Sequence, residues 1–240
     1  MSNAWIWLCA GLLALAPAAA HASSREVVVL LHGLYRSDRS MQPLGQAVAA
    51  AGFEVVNLDY ASRSQSADTL VAELERQVDA CCRDAEKLHF VTHSLGGIVT
   101  RAWVAQHRPA NLGRVVMLAP PNHGSPLADI VAGSAALRFF LGPTAALLGT
   151  DAASLPNRLP PADFELGVIA GTASRNPFSA LFVDGESDGT VTVSSTRLEG
   201  MSDFVTVDSS HTFIMRSDRA MAETIHFLRS GAFQHTPSGE

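Results

Sequence analysis

Six short runs of apolar, largely β-branched residues recur along the chain after residue 25. The first, Glu26–Leu31, reads EVVVLL without a polar interruption, which is typical of a strand covered by other structure on both of its faces. The same kind of pattern predicts five further strands, at Phe53–Leu58, Leu88–Thr92, Arg114–Leu118, Leu166–Ala170 and Phe204–Val207.

Segments with helical periodicity separate most of these runs. In Asp68–Arg83, apolar residues recur every three or four positions with charged residues between them, as on an amphipathic helix. Further helices are predicted at Ser40–Ala51, Ser94–His107 and about Ser217–Leu228. Because parallel neighbours need a crossover connection, this alternation predicts an α/β fold with a mostly parallel six-stranded sheet and helices on both faces. Binding sites in such sheets form at the carboxyl ends of the strands.

The segment between the fourth and fifth runs breaks the alternation. Residues 119–163 are long for a connection and rich in Leu, Phe, Ala, Gly and Pro. A connection this long and apolar is either functional or an embedded subdomain. We expect two short helices forming a cap or lid at about 125–163, and a cap that contributes only to the core is the alternative.

The first 22 residues form a separate region. Residues 4–20 are uncharged and mostly apolar, and they lead into Ala20-His21-Ala22, a small-x-small pattern that suits signal peptidase. This predicts a signal peptide at 1–22, export to the periplasm or medium, and a mature domain at 23–240. The lack of Lys or Arg before the apolar run fits a signal peptide poorly, and an uncleaved membrane anchor is the alternative.

Composition narrows the classes of function. The chain is 47% hydrophobic and 17% charged, which predicts a packed core. Its net charge of −6 and the lack of a Lys/Arg run argue against a nucleic-acid partner. Beyond the leader only the adjacent Cys81 and Cys82 remain. Adjacent cysteines cannot close a long loop, so we expect two separate thiols near a helix end, with an intermolecular bridge as the alternative.

The segment FVTHSLGG, residues 90–97, carries the strongest chemical signal. A predicted strand runs into Ser94, and a helix begins at once. Such a strand-to-helix turn projects the hydroxyl from the sheet edge above free helix amides. Gly96 and Gly97 allow the helix to lie close to neighbouring chain. Thr92 stands where the usual Gly-x-Ser-x-Gly pattern has its first glycine.

On these residues the sequence resembles the lipases and esterases of the α/β-hydrolase superfamily, especially bacterial lipase-like and inositol-deacylase-like members. The resemblance covers most of the chain after residue 25. It implies that Ser94 is a nucleophile and that the backbone amides of Leu34 and Leu95 form an oxyanion hole. The loop that carries His32 and Gly33 would then border the cleft, as would His93.

The resemblance also places an acid after the fifth strand. Asp188 is the first choice because Asp188-Gly189-Thr190-Val191 matches the acid loop of the family, and Asp184 is the second. Alternating acids in this segment imitate the start of a calcium loop. However, the twelfth position from Asp184 is Ser195, where such a loop requires a bidentate Glu.

A histidine is expected after the sixth strand. His211 is in that position and completes the order Ser, Asp, His that the family shows. His226 and His235 lie within and beyond the last predicted helix, too far along the chain from the strand end. His123, in the Pro/Gly/Ser-rich segment after the fourth strand, is a further candidate for lining the cleft.

These resemblances imply hydrolysis of carboxylic esters through an acyl-enzyme on Ser94, with no cofactor and no metal. The apolar cap favours a lipid or small-molecule ester with a hydrophobic acyl chain, and transient contact of the cap with a lipid surface. Two alternatives stay open. The same three residues could transfer the acyl group to another alcohol, or the chain could be a catalytically silent binding or chaperone-like relative.

Overall fold

A computed structural model describes residues 25–174 and 185–235. Its centre is a sheet of six strands in the order β2-β1-β3-β4-β5-β6, and every neighbouring pair is parallel. The predicted parallel sheet is therefore confirmed. The strands are β1 (Glu26–Leu31), β2 (Glu54–Leu58), β3 (Lys87–His93), β4 (Leu112–Leu118), β5 (Leu166–Gly171) and β6 (Asp203–Val207).

The apolar runs form strands because the sheet is covered on both faces. Alternate residues of β1 enter different cores: Val27 and Val29 face one cluster, and Val28 and Leu30 the other. All four side chains are fully buried. A continuous apolar run is what a strand between two helical layers requires.

Helices cover the two faces in pairs. The first core packs α2 (Ala67–Cys82) and α3 (Leu95–His107) against the sheet, and the second packs α1 (Gln42–Ala50) and α8 (Asp218–Ser230). The predicted helices agree with these bounds within about two residues, the usual uncertainty of helix ends. At the first of them, Asp38–Ser40 is a separate 3-10 turn.

The chain reverses its direction of winding at β1. It passes from β1 outward to β2 and then returns across β1 to β3, after which the strands follow in sequence to β6. The carboxyl ends of β1 and β3 therefore lie side by side where the winding reverses. In open α/β sheets this reversal leaves a crevice at the carboxyl ends of the strands.

The segment after β4 contains four helical pieces instead of the expected two. They are α4 (Pro126–Gly133), α5 (Ala135–Leu141), a 3-10 helix (Pro143–Leu148) and α6 (Leu155–Arg158). The extra breaks have local causes. Ser134 caps α5 immediately after α4, and Gly142, with φ of 87°, ends α5 before Pro143. A further short helix, α7 (Val193–Thr196), precedes β6.

The cysteine expectation was wrong. Cys81 and Cys82 at the end of α2 are joined in a disulfide. Neighbouring side chains on one helix end lie close enough to bond, although the ring they close encloses no chain segment. Cys82 is buried against the core and Cys81 packs on its edge.

The predicted leader, residues 1–22, lies outside the described residues. Within the described ranges, none of the helices combines the length and the apolar character needed to cross a membrane.

The helix after Ser94 depends on a close approach of two backbones. A Cβ atom on Gly96 would lie 2.8 Å from the Leu31 carbonyl oxygen and 2.9 Å from that of His32. We therefore expect Gly96→Ala to lower the free energy of unfolding by about 1–3 kcal/mol through overpacking, measured by urea denaturation. Gly133→Ala is the matched control, since a Cβ atom on Gly133 would have no atom within 4 Å apart from its chain neighbours and the backbone of its own helix. Equal stability of the two variants would contradict this account of the turn.

Candidate active site

Ser94 occupies a strained turn between β3 and α3. Its φ of 52° and ψ of −120° are rare for a residue with a side chain. The surrounding structure holds it there, because the Ser94 amide donates to the Leu118 carbonyl at 2.9 Å and α3 is buried over most of its length. This is the strand–turn–helix arrangement that presents a serine hydroxyl at the top of a sheet.

Three side chains from distant parts of the chain meet in series at this edge. Ser94 Oγ lies 3.1 Å from His211 Nε2, and His211 Nδ1 lies 2.7 Å from Asp188 Oδ2. His211 follows the carboxyl end of β6, and Asp188 lies in the connection after β5. The structure therefore brings together the three residues selected from the sequence. The second-choice acid, Asp184, lies outside the described residues.

The loop around Asp188 fixes the direction of the carboxylate. Its Oδ1 accepts hydrogen bonds from the amides of Thr190 at 2.9 Å and Val191 at 2.8 Å, which leaves Oδ2 facing His211. The Asp188 side chain is fully buried. The His211 amide also donates to the Asp188 carbonyl at 3.0 Å, so backbone and side chain both tie the imidazole to this loop.

The two backbone amides that the resemblance assigns to an oxyanion hole are those of Leu34 and Leu95. Leu34 lines the cavity beside Ser94, and Leu95 is the first residue of α3. In the described part of the chain neither amide donates to a protein acceptor, as expected at a helix start for Leu95. Gly33 lets this loop approach, since a Cβ there would lie 3.1 Å from Ser94 Cβ and 2.6 Å from His93 Nδ1.

His93 lies between Gly33, in the loop after β1, and His211, in the loop after β6. Its Nε2 donates to the His211 carbonyl at 2.9 Å, and the two rings lie 4.8 Å apart between centroids. Its Nδ1 is buried without a hydrogen-bond partner among residues 25–174 and 185–235. Burial, with His211 and Arg36 as further causes, holds the pKa of His93 well below its ordinary value. His93 is therefore neutral near neutral pH.

Of the four residues expected to line the cleft, only His93 lies on the cavity wall. His32 is fully buried beneath the loop, where its ring stacks on Tyr60 at 4.3 Å and its Nδ1 donates to the Gly33 carbonyl. His123 is exposed and lies 3.4 Å from Asn157 of α6. His32 and His123 therefore contact neighbouring loop residues and do not line the cavity. Gly33 lies next to Ser94 but is not part of the cavity wall.

The cap forms a largely apolar wall opposite Ser94. A cavity of about 480 Å³ opens beside Ser94 and His211. This volume is within the range of small-molecule sites. Its apolar wall comes from α4, the end of α5 and the following 3-10 helix, through Leu127, Ala128, Val131, Leu141, Ala145 and Leu148.

A buried arginine that was not selected from the sequence connects α3 to the cap. The Arg101 guanidinium donates to Asn122 Oδ1 at 3.1 Å and to the Pro160 carbonyl at 3.1 Å. Burial lowers its pKa to about 10. Among the described residues no carboxylate pairs with it. Its position on the helix after Ser94 was visible in the sequence, but its carbonyl partners depend on the path of the cap.

Asp184 of the calcium-like pattern lies outside the described residues, and Glu186 and Asp188 lie within the described ranges. No group of three or more His, Cys, Asp or Glu residues suited to a metal ion is found there. Asp188, the last acid of the pattern, is instead committed to His211 and two backbone amides.

Comparisons with known proteins agree with the fold. The model of the alpha/beta hydrolase family matches residues 28–232. No curated protein matches the sequence at a significant level.

Three solved structures illustrate the likeness. The mature lipase BlEst2 of Bacillus licheniformis is 20% identical, with a TM-score of 0.66 over 86% of this chain and 93% of that one. The metagenomic carboxyl esterase MGS0156 is 20% identical, with a TM-score of 0.67 over 80% of this chain and 66% of that one. The Paleococcus ferrophilus monoacylglycerol lipase is 17% identical, with a TM-score of 0.58 over 87% and 95%. At these identities the likeness describes the shared fold.

The buried neutral His93 should make stability depend on pH. Its pKa is lowered in the folded state, whereas the unfolded chain takes up the proton near pH 6.5. Stability is therefore complete above about pH 6.5 and falls below it, by up to about 1.4 kcal/mol per pH unit from this group. His93→Gln should show a shallower decline.

The measurement is the free energy of unfolding in urea between pH 8 and pH 5 for both proteins. His89, which is also buried with a lowered pKa, contributes equally to both curves, so their difference isolates His93. Parallel curves would show that His93 does not resist protonation.

Proposed function

Because the chain belongs to the alpha/beta hydrolase family, we propose that it hydrolyses carboxylic esters through an acyl-enzyme formed on Ser94. The observation that carries this proposal is the unbroken series from Ser94 Oγ through His211 to the buried Asp188. A hydroxyl, an imidazole and a carboxylate in this order form the arrangement that activates serine for attack on a carbonyl.

The proposed reaction has two stages. Ser94 Oγ attacks the ester carbonyl carbon while His211 Nε2 accepts its proton, and His211 then returns that proton to the departing alcohol. Water, deprotonated by His211, then attacks the acyl-enzyme, and His211 gives this proton to the departing Ser94 Oγ, which releases the acid and restores the serine hydroxyl. Asp188 holds the Nδ1 proton in place and stabilises the imidazolium, and the amides of Leu34 and Leu95 bind the oxyanion.

The cap supports a hydrophobic acyl chain as the buried part of the substrate. Its side chains leave an apolar cavity beside Ser94, where each buried methylene would stabilise the complex by about 0.8 kcal/mol. The names of the structural neighbours, a lipase, a carboxyl esterase and a monoacylglycerol lipase, agree with this class of substrate.

Transient contact with a lipid surface belongs to the same proposal. Phe139 and Phe140 of α5 are 82% and 66% exposed, and Leu141 of the same helix lines the cavity. Exposed apolar side chains grouped in this way are typical of surfaces that meet apolar partners. The leader pattern at residues 1–22 adds the proposal that the protein is exported, where external lipid esters would be accessible.

Loss of Ser94 should abolish the reaction. We expect Ser94→Ala to lower kcat/KM for p-nitrophenyl butyrate by at least about 10⁴-fold because the nucleophile is lost, and Asp188→Asn by a similar order because the carboxylate that orients the His211 imidazole is lost. A fluorophosphonate probe should label the unaltered protein but not Ser94→Ala.

Ser64→Ala is the control, since Ser64 is exposed and distant in sequence from all three residues. Folded, unaltered protein that neither hydrolyses the ester nor reacts with the probe would favour a silent binding protein. Acyl transfer instead of hydrolysis would appear as an ester product when glycerol is added as a competing acceptor.

The length of the acyl chain should be limited by the cap. Ala145 is 4% exposed and lines the cavity, so Ala145→Leu should displace part of a long chain. Each methylene excluded costs about 0.8 kcal/mol, or about fourfold in kcat/KM. The measurement is kcat/KM for p-nitrophenyl esters from acetate to dodecanoate, and the profile should shift toward short chains.

The control is Ala136→Leu, an exposed position on α5 outside the cavity wall. If Ala145→Leu folds normally and keeps the original chain-length profile, the cavity does not bind the acyl chain.

A further inference from the structure

One formally charged side chain stands on the wall of the otherwise neutral cavity. Among the residues of 25–174 and 185–235 that line it, only Arg36 carries a fixed charge. Arg36 is exposed, and no ion pair to it is formed by residues 25–174 or 185–235. In a chain of net charge −6, an arginine without a carboxylate partner at this place can bind an anion from solution.

The backbone places this cation close to the reacting group. Arg36 follows the proposed oxyanion residue Leu34 by two positions, and the Arg36 amide donates to the Gly33 carbonyl at 3.2 Å. Between them Tyr35 has a φ of 58°, so the loop turns sharply. Arg36 and His93, the residue before Ser94, line the same cavity.

The position of Arg36 indicates which part of a substrate it would meet. The apolar wall formed by the cap suits an acyl chain, whereas a charged and exposed side chain suits a group that stays at the solvent edge. The anion therefore belongs on the alcohol side of the ester. A guanidinium binds phosphate or carboxylate oxygens through paired N–H donors.

We propose that Arg36 makes the enzyme prefer esters whose alcohol carries an anionic group, a phosphate or a carboxylate, close to the scissile bond. The proposal rests on the ester hydrolysis proposed above and names its substrate class. The acyl chain occupies the cavity beneath the cap, and the anion pairs with Arg36 at the rim.

Three substrates with the same acyl chain test the preference. They are 1-octanoylglycerol, 1-octanoylglycerol 3-phosphate and 3-O-octanoylglycerate. At the end of the three-carbon unit opposite the ester, the first has a neutral hydroxyl, the second a phosphate and the third a carboxylate. The unaltered protein should give higher kcat/KM for at least one anionic ester than for the neutral one. That advantage should shrink as salt is raised, because ions screen an exposed charge.

Arg36→Gln should lower the ratio of anionic to neutral kcat/KM by about 2- to 5-fold, mainly through KM, because one solvent-exposed charge pair is lost. Arg36→Lys should restore part of it. Arg39→Gln is the matched control, since Arg39 is exposed nearby but does not line the cavity, and its ratio should not change. A folded Arg36→Gln variant with the original ratio would overturn the proposal.

A binding measurement separates this proposal from the hydrolytic one. Octyl phosphate should bind the Ser94→Ala variant more tightly than octanol does, and adding Arg36→Gln should remove that difference, as measured by calorimetry. Anion binding that depends on Arg36 in a protein that hydrolyses no ester would refute the reaction while keeping the site. Equal binding with and without Arg36 would refute the site.

Discussion

The strained backbone at Ser94 is the constraint on which the remaining site depends. A residue with a side chain is held at φ of 52° only because the segments on either side of it are fixed by packing. The amide of Ser94 is tied to β4, and Gly96 lies directly on the carbonyl end of β1. The hydroxyl therefore projects from the sheet edge, beside the amide-bearing loop after β1.

The same edge explains how distant residues can act together. The strands of a parallel sheet have their carboxyl ends on one side, so the loops after β3, β5 and β6 lie at the same edge. Backbone hydrogen bonds then set the fine positions: His211 is tied to Asp188 through its own amide, and His93 donates to the carbonyl of His211. Asp188 and His93 therefore both fix the position of His211. His93 is also the residue directly before Ser94.

The strands could be predicted because a strand that is buried on both faces is apolar at every position. The core helices could be predicted because their buried positions recur with helical spacing. Val27 to Leu30 are apolar without interruption since helices cover both sides. The cap was harder, because Gly142 and Pro143 divide an evenly apolar stretch into short pieces that show no clear period. Ser94 could be found because it lies in a strand-to-helix turn, whereas choosing His211 and Asp188 also depended on the family resemblance.

The residues that sequence reasoning misplaced or missed have positions set by contacts between loops. His32 adjoins Gly33 in sequence, yet stacking on Tyr60 turns its ring away from the cavity. Arg36 lies only a few positions further and reaches the rim, because the left-handed Tyr35 redirects the loop. Neither turn could be inferred from periodicity, since both depend on where β2 and the cap lie. In the described part of the chain, an apolar cavity wall with Arg36 at its edge divides the site into an apolar part and a polar part. Such a division favours substrates that are themselves amphipathic.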